Sequence, residues 1–208
     1  MTRKALAAAG PGVRADPSRA GCTQWLVVVA LLGAGVIAAL QIGKAAAALP
    51  ALAADLGLSL TTAGWVIGAF NVAGAMCGLV IGAGIDRVGH RRAALAGLGL
   101  IAVCSSLGAL AHSTALLLAS RLGEGLGFAL TALAAPALLV RVTSPDRRGI
   151  VFGLWSSYVP AGIALGMLAT PWLTGLLSWR AVWLAAGAIA AAWTVIILLA
   201  TRSLRPWA

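Results

Sequence analysis

Apolar residues dominate this chain in six long runs that short polar stretches separate. The runs lie near residues 25–49, 62–85, 93–111, 115–140, 150–176 and 180–201. A run of about 20 apolar residues can cross the roughly 30 Å hydrocarbon layer as an α-helix. Lipid cannot satisfy backbone polar groups, and the alternation typical of strands is not seen, so helices are expected. The pattern predicts an all-α membrane protein with a six-helix transmembrane domain over residues 25–201.

Composition agrees with this prediction. Of the 208 residues, 61% are hydrophobic and only 10% are charged, and the mean hydropathy is +1.00. These values are far from those of a soluble domain, so we expect the chain to lie in the lipid bilayer, which is one of its partners. Residues 1–24 are expected to form a disordered cytoplasmic leader and residues 202–208 a cytoplasmic tail. The apolar run after the leader is too long for a cleavable signal.

The net charge of +10 suggests nucleic-acid binding at first, but the basic residues sort by membrane side. Only Arg180 falls in a loop on the side opposite to the others, and the positive-inside rule then predicts that both termini are cytoplasmic. This distribution argues against nucleic acid as a partner. An excess of Arg over Lys with abundant Ala and Gly is typical of GC-rich coding and favours a bacterial inner membrane. The basic residues that share the cytoplasmic side are Arg3, Lys4, Arg14, Arg19, Arg87, Arg91, Arg92, Arg141, Arg147, Arg148, Arg202 and Arg205.

A weak internal repeat relates the two halves of the chain. ALPAL at 48–52 precedes Gly68 much as AAPAL at 134–138 precedes Gly153. Three helices repeated across an odd number of crossings must be inverted in topology, and inverted repeats are a signature of secondary transporters. We therefore expect a 3+3 inverted repeat.

The stretch GAGIDRVGHRR, residues 82–92, places one acid and four basic side chains between the second and third helices. A positive-inside anchor explains its arginines, but not why an acid comes first or why glycines stand at positions 82 and 89. The stretch resembles the signature of the major facilitator superfamily: a glycine, three residues, Asp, a basic residue, one residue, Gly, then a basic cluster. The matching residues are Gly82, Asp86, Arg87, Gly89, Arg91 and Arg92, whereas His90 stands where the family usually has Arg or Lys.

A second signature of the same superfamily, on the fourth helix, is matched by Arg121, Glu124, Gly125 and Gly127. The resemblance implies the six-helix amino-terminal half of a twelve-helix transporter, whose halves rock about a midplane site. It implies that loop 82–92 is a gating latch, in which Asp86 contacts the partner half in the outward-facing state. It also implies that Arg121 faces the cavity and is linked to proton movement.

Three charged side chains lie inside predicted helices, where charge is costly and usually functional. They are Lys44, Arg121 and Glu124, and all three are expected in the outer half of the membrane. If Lys44 joins the other two, the site is net positive and favours a small organic anion. Asn71 is a further candidate for the substrate and proton pathway. The alternative is a self-neutralised Arg121–Glu124 pair, with Lys44 reaching toward the outer interface.

Small residues on two helices are expected to form an interface. Gly74 and Gly78 follow Asn71 on one face of helix two, and Gly162 and Gly166 share a face of helix five. In the family these helices pack on the other half, so we expect a second six-helix half, from a second copy or a separate chain, as partner. The alternative is tight packing within one six-helix bundle.

These observations favour secondary active transport of a small solute, with or without proton coupling. Residues 159–166 lack the Gly-Pro and paired glycines typical of proton-coupled drug antiporters, although a drug/proton antiporter half stays an alternative. A truncated or half-size protein without its own transport activity is the other alternative. No nucleophile with a base and no carboxylate cluster is apparent, so we expect no enzyme, no cofactor and no metal site.

Overall fold

The computed structural model describes residues 23–202, apart from the side chains at positions 77, 79–81 and 83. The expected leader and tail therefore lie almost wholly outside the described residues. Within residues 23–202 the chain folds into seven α-helices and one short 3₁₀ helix. These are α1 (Trp25–Leu56), α2 (Leu60–Val88), α3 (His90–Ala109), α4 (Thr114–Val142), the 3₁₀ helix (Pro145–Arg147), α5 (Arg148–Ser156), α6 (Tyr158–Leu176) and α7 (Trp179–Ala200).

Serine side chains start three of the helices. The hydroxyl of Ser59 accepts a hydrogen bond from the Thr62 N–H at 3.2 Å, and Ser113 and Ser178 cap α4 and α7 in the same way. Such caps satisfy N–H groups that have no partner within the helix.

Glycines at positive φ make two of the turns. Gly57 ends α1 at φ 61°, and Gly89 joins α2 to α3 at φ 93°, a region that other residues rarely adopt. These turns mark the two ends of the bundle. The Gly57 end carries the α1–α2, α3–α4 and α6–α7 connections, and the Gly89 end carries the α2–α3 turn and the 3₁₀ helix.

The fifth apolar run differs from the prediction of a single helix over 150–176. It forms α5 and α6, with a break at Ser157, whose N–H bonds to the Leu154 carbonyl at 3.2 Å. The physical reason is Pro160, which has no N–H and whose ring clashes with the carbonyl four residues earlier in a regular helix.

Five segments of residues 23–202 are long and apolar enough to cross a membrane. They are α1, α3, α4, Pro145–Leu176 and α7. α2 contributes Leu60–Met76 as a shorter apolar stretch.

Helix packing creates two apolar clusters, one toward each end of the bundle. α1 packs on α6, α7 and α4, while α3 packs on α4 and α7, and α2 packs on α4. The cluster toward the Gly89 end includes Leu31, Leu138 and Ile197, and that toward the Gly57 end includes Leu52 and Leu117. Along both α1 and α4, polar side chains occupy the layer between these clusters.

Glycines bring helix backbones into close contact. A Cβ atom on Gly125 would overlap the Phe70 carbonyl oxygen on α2, and one on Gly127 would lie 2.6 Å from the Gly97 carbonyl oxygen on α3. The two glycines of the helix-four motif therefore let α4 approach both neighbours.

The four glycines expected at an interface divide into two pairs. Gly162 and Gly166 on α6 lie against the α1 backbone, where a Cβ on Gly166 would be 2.7 Å from the Leu40 carbonyl oxygen. The structure thus gives this pair the within-bundle packing of the alternative, and not a partner-facing position. Gly74 is only loosely packed on α4, and a Cβ on Gly78 would meet no described atom within 4 Å.

Candidate functional site

The polar layer between the apolar clusters holds three charged side chains. Lys44 comes from α1, while Arg121 and Glu124 lie one turn apart on α4. Lys44 and Glu124 are 0% exposed and Arg121 is 1% exposed. The structure thus brings together the three charges that the sequence singled out, and Lys44 is enclosed in the bundle instead of reaching its surface. We call these three residues the charge cluster.

Glu124 stands at the centre of the charge cluster. Its Oε1 accepts a hydrogen bond from Lys44 Nζ at 2.7 Å, and its Oε2 accepts one from Arg121. Hydrogen bonds between ionised groups are stronger than neutral ones, and a dry surrounding strengthens them further. One carboxylate therefore ties α1 to α4.

Lys44 has two further neighbours. Its ammonium donates to Ser105 Oγ on α3 at 2.5 Å and lies 4.6 Å from the ring centre of Trp183 on α7. Ser105 in turn donates to the Trp183 carbonyl at 3.0 Å. The lysine thus links three helices besides its own, since α4 supplies Glu124.

Arg121 extends the charge cluster to α2. Its Nε donates to the Val66 carbonyl at 3.0 Å and its Nη1 to the Gln41 carbonyl at 3.1 Å, and its guanidinium lies 4.8 Å from the Phe70 ring centre. A planar guanidinium with several donors suits such a set of partners. Arg121 therefore joins α4 to both α1 and α2, in addition to its ion pair with Glu124.

The charge cluster has a net charge of +1, because two cations surround one carboxylate. An unbalanced charge enclosed in a protein interior is costly, which makes the charge cluster a candidate functional site and not only a structural one. The three charges bond to one another and to helix carbonyls, so no charged group is open to a solute in this conformation.

The sequence alone did not indicate some of the polar groups in this layer. Ser105 and Trp183 contact Lys44 directly, and Gln41 is 0% exposed with an Oε1 atom that has no hydrogen-bond partner among the described residues. The position of Gln41, three residues before Lys44 on α1, could have identified it. Asn71 lies apart from the charge cluster, with its amide 3.5 Å from the Ile67 carbonyl of its own helix.

The charged turn at the Gly89 end divides into a tethered and an exposed part. Arg91 donates to Thr201 Oγ1 at 2.8 Å and to the Leu198 carbonyl at 3.3 Å, both in the last turn of α7. Asp86 is exposed, with His90 Nε2 3.9 Å away, and Arg87 and Arg92 are exposed as well.

At the opposite end, Asp55 forms a second, partly exposed group of contacts. It accepts hydrogen bonds from Arg180 at 2.7 Å and from the Trp179 indole at 3.0 Å, and Arg180 also donates to the Ala111 carbonyl. This group joins the end of α1 to the α3–α4 connection and the start of α7.

Comparison with known proteins decides the family. The sequence profile of the Major Facilitator Superfamily matches residues 31–207. The chain belongs to this superfamily. Family membership confirms the resemblance to this superfamily, and together with the long apolar helices it supports a multi-pass membrane protein.

Among the superfamily members that this chain resembles are several bacterial resistance and export proteins. It is 34% identical over 166 residues to the puromycin resistance protein pur8 of Streptomyces alboniger, covering 79% of this chain and 32% of that protein. It is 36% identical over 166 residues to the cephamycin export protein CmcT of Amycolatopsis lactamdurans, covering 77% and 34%. The multidrug efflux pump LfrA of Mycolicibacterium smegmatis is 30% identical over 177 residues, covering 85% and 34%. The chain spans about a third of the length of these relatives.

The tether at Arg91 leads to a prediction for this superfamily member. Arg91→Gln removes both contacts to the last turn of α7. We expect amide hydrogen exchange there to become about fivefold faster, which corresponds to about 1 kcal/mol of lost capping. Arg92→Gln makes the same charge change on an exposed side chain and should leave the exchange of α7 unchanged. Equal exchange in both variants would contradict the tether.

Proposed function

We propose that this chain is part of a secondary active transporter that exports small organic compounds of the antibiotic class by alternating access. The substrate class in this proposal comes from the relatives, which are named for puromycin resistance, cephamycin export and multidrug efflux. The enclosed charge cluster supports an active transport mechanism, since an unbalanced charge between packed helices is hard to explain by stability alone.

The packing of the helices supports the 3+3 inverted repeat. If the repeat relates α1 to α4, α2 to the α5–α6 pair and α3 to α7, each helix contact in one half has a counterpart in the other half. The α1–α6 contact then corresponds to the α4–α2 contact. The α1–α7 contact corresponds to the α4–α3 contact in the same way, and the α1–α4 and α3–α7 contacts each correspond to themselves. All of these contacts are present in the bundle. In this arrangement α2 is the sixth membrane-spanning helix, and the bundle is the amino-terminal half of a twelve-helix fold.

The same proposal includes an orientation and a partner. By the positive-inside rule, we expect the Gly89 end, which carries most of the basic residues, and both termini to lie in the cytoplasm of a bacterial cell, with the bundle in the plasma membrane. A second set of six helices, in a longer chain or another copy, would complete the transport path. α2 carries the more loosely packed glycines, Gly74 and Gly78, and is the helix we expect it to meet.

Proton coupling is the energy source that the charge cluster supports best. It holds the arginine and glutamate of the helix-four motif together with Lys44. A net positive site also suits an organic anion, but the charge of the site is the only support for that substrate class. The proposal of antibiotic-type compounds is supported by the relatives.

Gating by the Gly89 end gives a testable prediction. Asp86 is exposed, and its ion-pair partner among the described residues, His90 Nε2, lies 3.9 Å away, so we expect Asp86 to be available to a partner half in the outward-facing state. Asp86→Asn should shift the population several-fold toward the inward-facing state, because losing a few charge-assisted contacts changes a two-state equilibrium by about 1 kcal/mol or more. The measurement is labelling of a single reporter cysteine at the Gly89 end.

Asp146→Asn is the matched control, since Asp146 is also exposed at this end and lies 3.3 Å from its neighbour Arg147. It should leave labelling unchanged. Labelling of Asp86→Asn that equals the unmodified protein would remove Asp86 from the gate.

The export proposal is tested in an antibiotic-sensitive bacterium. Cells that produce this chain together with the second set of six helices should accumulate less puromycin than cells without them, and an uncoupler that collapses the proton gradient should abolish the difference. Gly68→Ala, at a position where a Cβ meets no described atom within 4 Å, should behave like the unmodified protein. Equal accumulation of puromycin and of a multidrug panel, with the protein present in the membrane, would contradict export.

A further inference from the structure

We propose that Lys44 Nζ is the proton-binding atom of the charge cluster, which alternates between a net charge of +1 and zero. This inference deepens the proposed function, and it rests on that function only for the link between proton binding and export.

The balance of charge singles out a cation as the group that changes. Two cations face one carboxylate, and none of the three is more than 1% exposed. Loss of one proton from a cation makes the enclosed charge cluster neutral and removes most of the free-energy cost of enclosing a net charge. A guanidinium keeps its proton in proteins, whereas a buried lysine can become a neutral amine. Lys44 is therefore the group able to discharge.

The hydrogen bonds of Lys44 fit both protonation states. It donates to Glu124 Oε1 at 2.7 Å and to Ser105 Oγ at 2.5 Å. The Ser105 hydroxyl proton is directed to the Trp183 carbonyl, so Ser105 Oγ accepts from the lysine. The third N–H has the Trp183 ring on its side, 4.6 Å away. A neutral amine has two N–H groups and keeps both hydrogen bonds, and it loses only the attraction of its positive charge to the ring.

Glu124 fits only one protonation state. Both of its oxygens accept from cations, Oε1 from Lys44 and Oε2 from Arg121. A protonated carboxyl would direct a hydrogen at a donor and would raise the net charge to +2, so Glu124 stays ionised.

The remaining neighbours do not compete for the proton. Cys104 on α3 is near enough to interact electrostatically with Glu124, and a thiolate there would face the negative charge of that carboxylate, so the thiol stays protonated and neutral. The non-titratable groups around the charge cluster are Gln41 on α1, Val66 and Phe70 on α2, Ser105 on α3, Gly166 on α6 and Trp183 on α7.

The chemical step is a simple proton transfer. The Nζ–H bond that faces Trp183 breaks, its electron pair stays on the nitrogen, and the proton passes to a water molecule admitted when the helices around Lys44 separate. The reverse transfer from water on the other side of the membrane reloads the lysine. One proton moves per cycle, and no oxidant or reductant is needed.

The composition of the chain makes this step directly observable. Glu124 is the only glutamate, and Lys4 and Lys44 are the only lysines. The full chain, labelled with ¹⁵N at the lysine side chains and ¹³C at the glutamate carboxyl, is titrated in nanodiscs by NMR. Lys4→Arg removes one lysine signal and leaves all three residues of the charge cluster in the sequence, so the remaining signal belongs to Lys44.

We expect the Lys44 signal to pass from its ammonium to its amine position, with loss of one proton per chain, while the Glu124 carboxyl stays at its ionised position. A Glu124 signal that becomes protonated instead, or a Lys44 signal that stays ammonium until the protein unfolds, overturns the inference. The titration uses no substrate, so a failure of puromycin export would contradict the proposed function without affecting this result. If Lys44 keeps its charge although the protein exports puromycin, this inference fails and the proposed function stands.

Discussion

Glu124→Gln is expected to destabilise the protein by about 3–5 kcal/mol, the largest effect of any single substitution in the charge cluster. The change leaves Lys44 and Arg121 without their counter-charge, so Lys44 has to lose its proton and Arg121 stays an enclosed cation with no ion-pair partner among the described residues. The glutamine would also direct an amide N–H at one of the two cations that now donate to this side chain. The measurement is the thermal unfolding midpoint of the purified chain in detergent, together with the yield from membranes.

A comparison of two other variants separates charge balance from simple loss of contacts. Lys44→Met removes a cation and leaves the neutral Arg121–Glu124 pair, so it should be milder than Glu124→Gln although it also loses two hydrogen bonds. Asp55→Asn, at the partly exposed contacts of the Gly57 end, should have little effect. If Lys44→Met proves the more harmful variant, charge balance is not what holds the charge cluster together.

Gly125→Ala is expected to cost about 1–3 kcal/mol by forcing α4 away from α2. The added methyl group would overlap the Phe70 carbonyl oxygen, which belongs to helix backbone and cannot rotate aside. A displaced α2 would also disturb the bond from Arg121 to the Val66 carbonyl. Thermal unfolding in detergent and hydrogen exchange across the α2–α4 contact measure the effect.

Gly68→Ala is the control for this substitution, because it makes the same chemical change on α2 where a Cβ would meet no described atom within 4 Å. Alanine is a better helix former than glycine, so this variant should be neutral or slightly stabilising. Equal loss of stability in Gly68→Ala and Gly125→Ala would mean that the close approach of α2 and α4 is not required.

The all-helical class and the approximate positions of the helices could be predicted from hydrophobic runs, since lipid leaves the backbone few alternatives to a helix. The break at Ser157 could not be seen in the same way, because the run continues through it without any change in hydropathy. Its cause, Pro160, is visible in the sequence. Proline occurs within other helices of this bundle, at Pro50 and Pro136, without ending them, so packing decides which proline interrupts a helix.

The charges of the site could be predicted, but their partners could not. An ionisable residue inside a membrane helix is conspicuous, and Arg121 and Glu124 share a face by their spacing alone. Ser105 and Trp183 look like ordinary membrane-helix residues, and only the packing of α3 and α7 brings them to Lys44. Gly162 and Gly166 show the same limit, since a small-residue face does not reveal which helix it meets.

Proton-driven export through the charge cluster is tested most directly in inside-out membrane vesicles. With an acidic lumen, vesicles that contain this chain together with the second set of six helices should accumulate radiolabelled puromycin and lose protons from the lumen as they do so. Lys44→Arg, which keeps the positive charge but cannot release its proton, should abolish both. Accumulation that is unchanged in Lys44→Arg, or that persists after the proton gradient is collapsed, would contradict this mechanism.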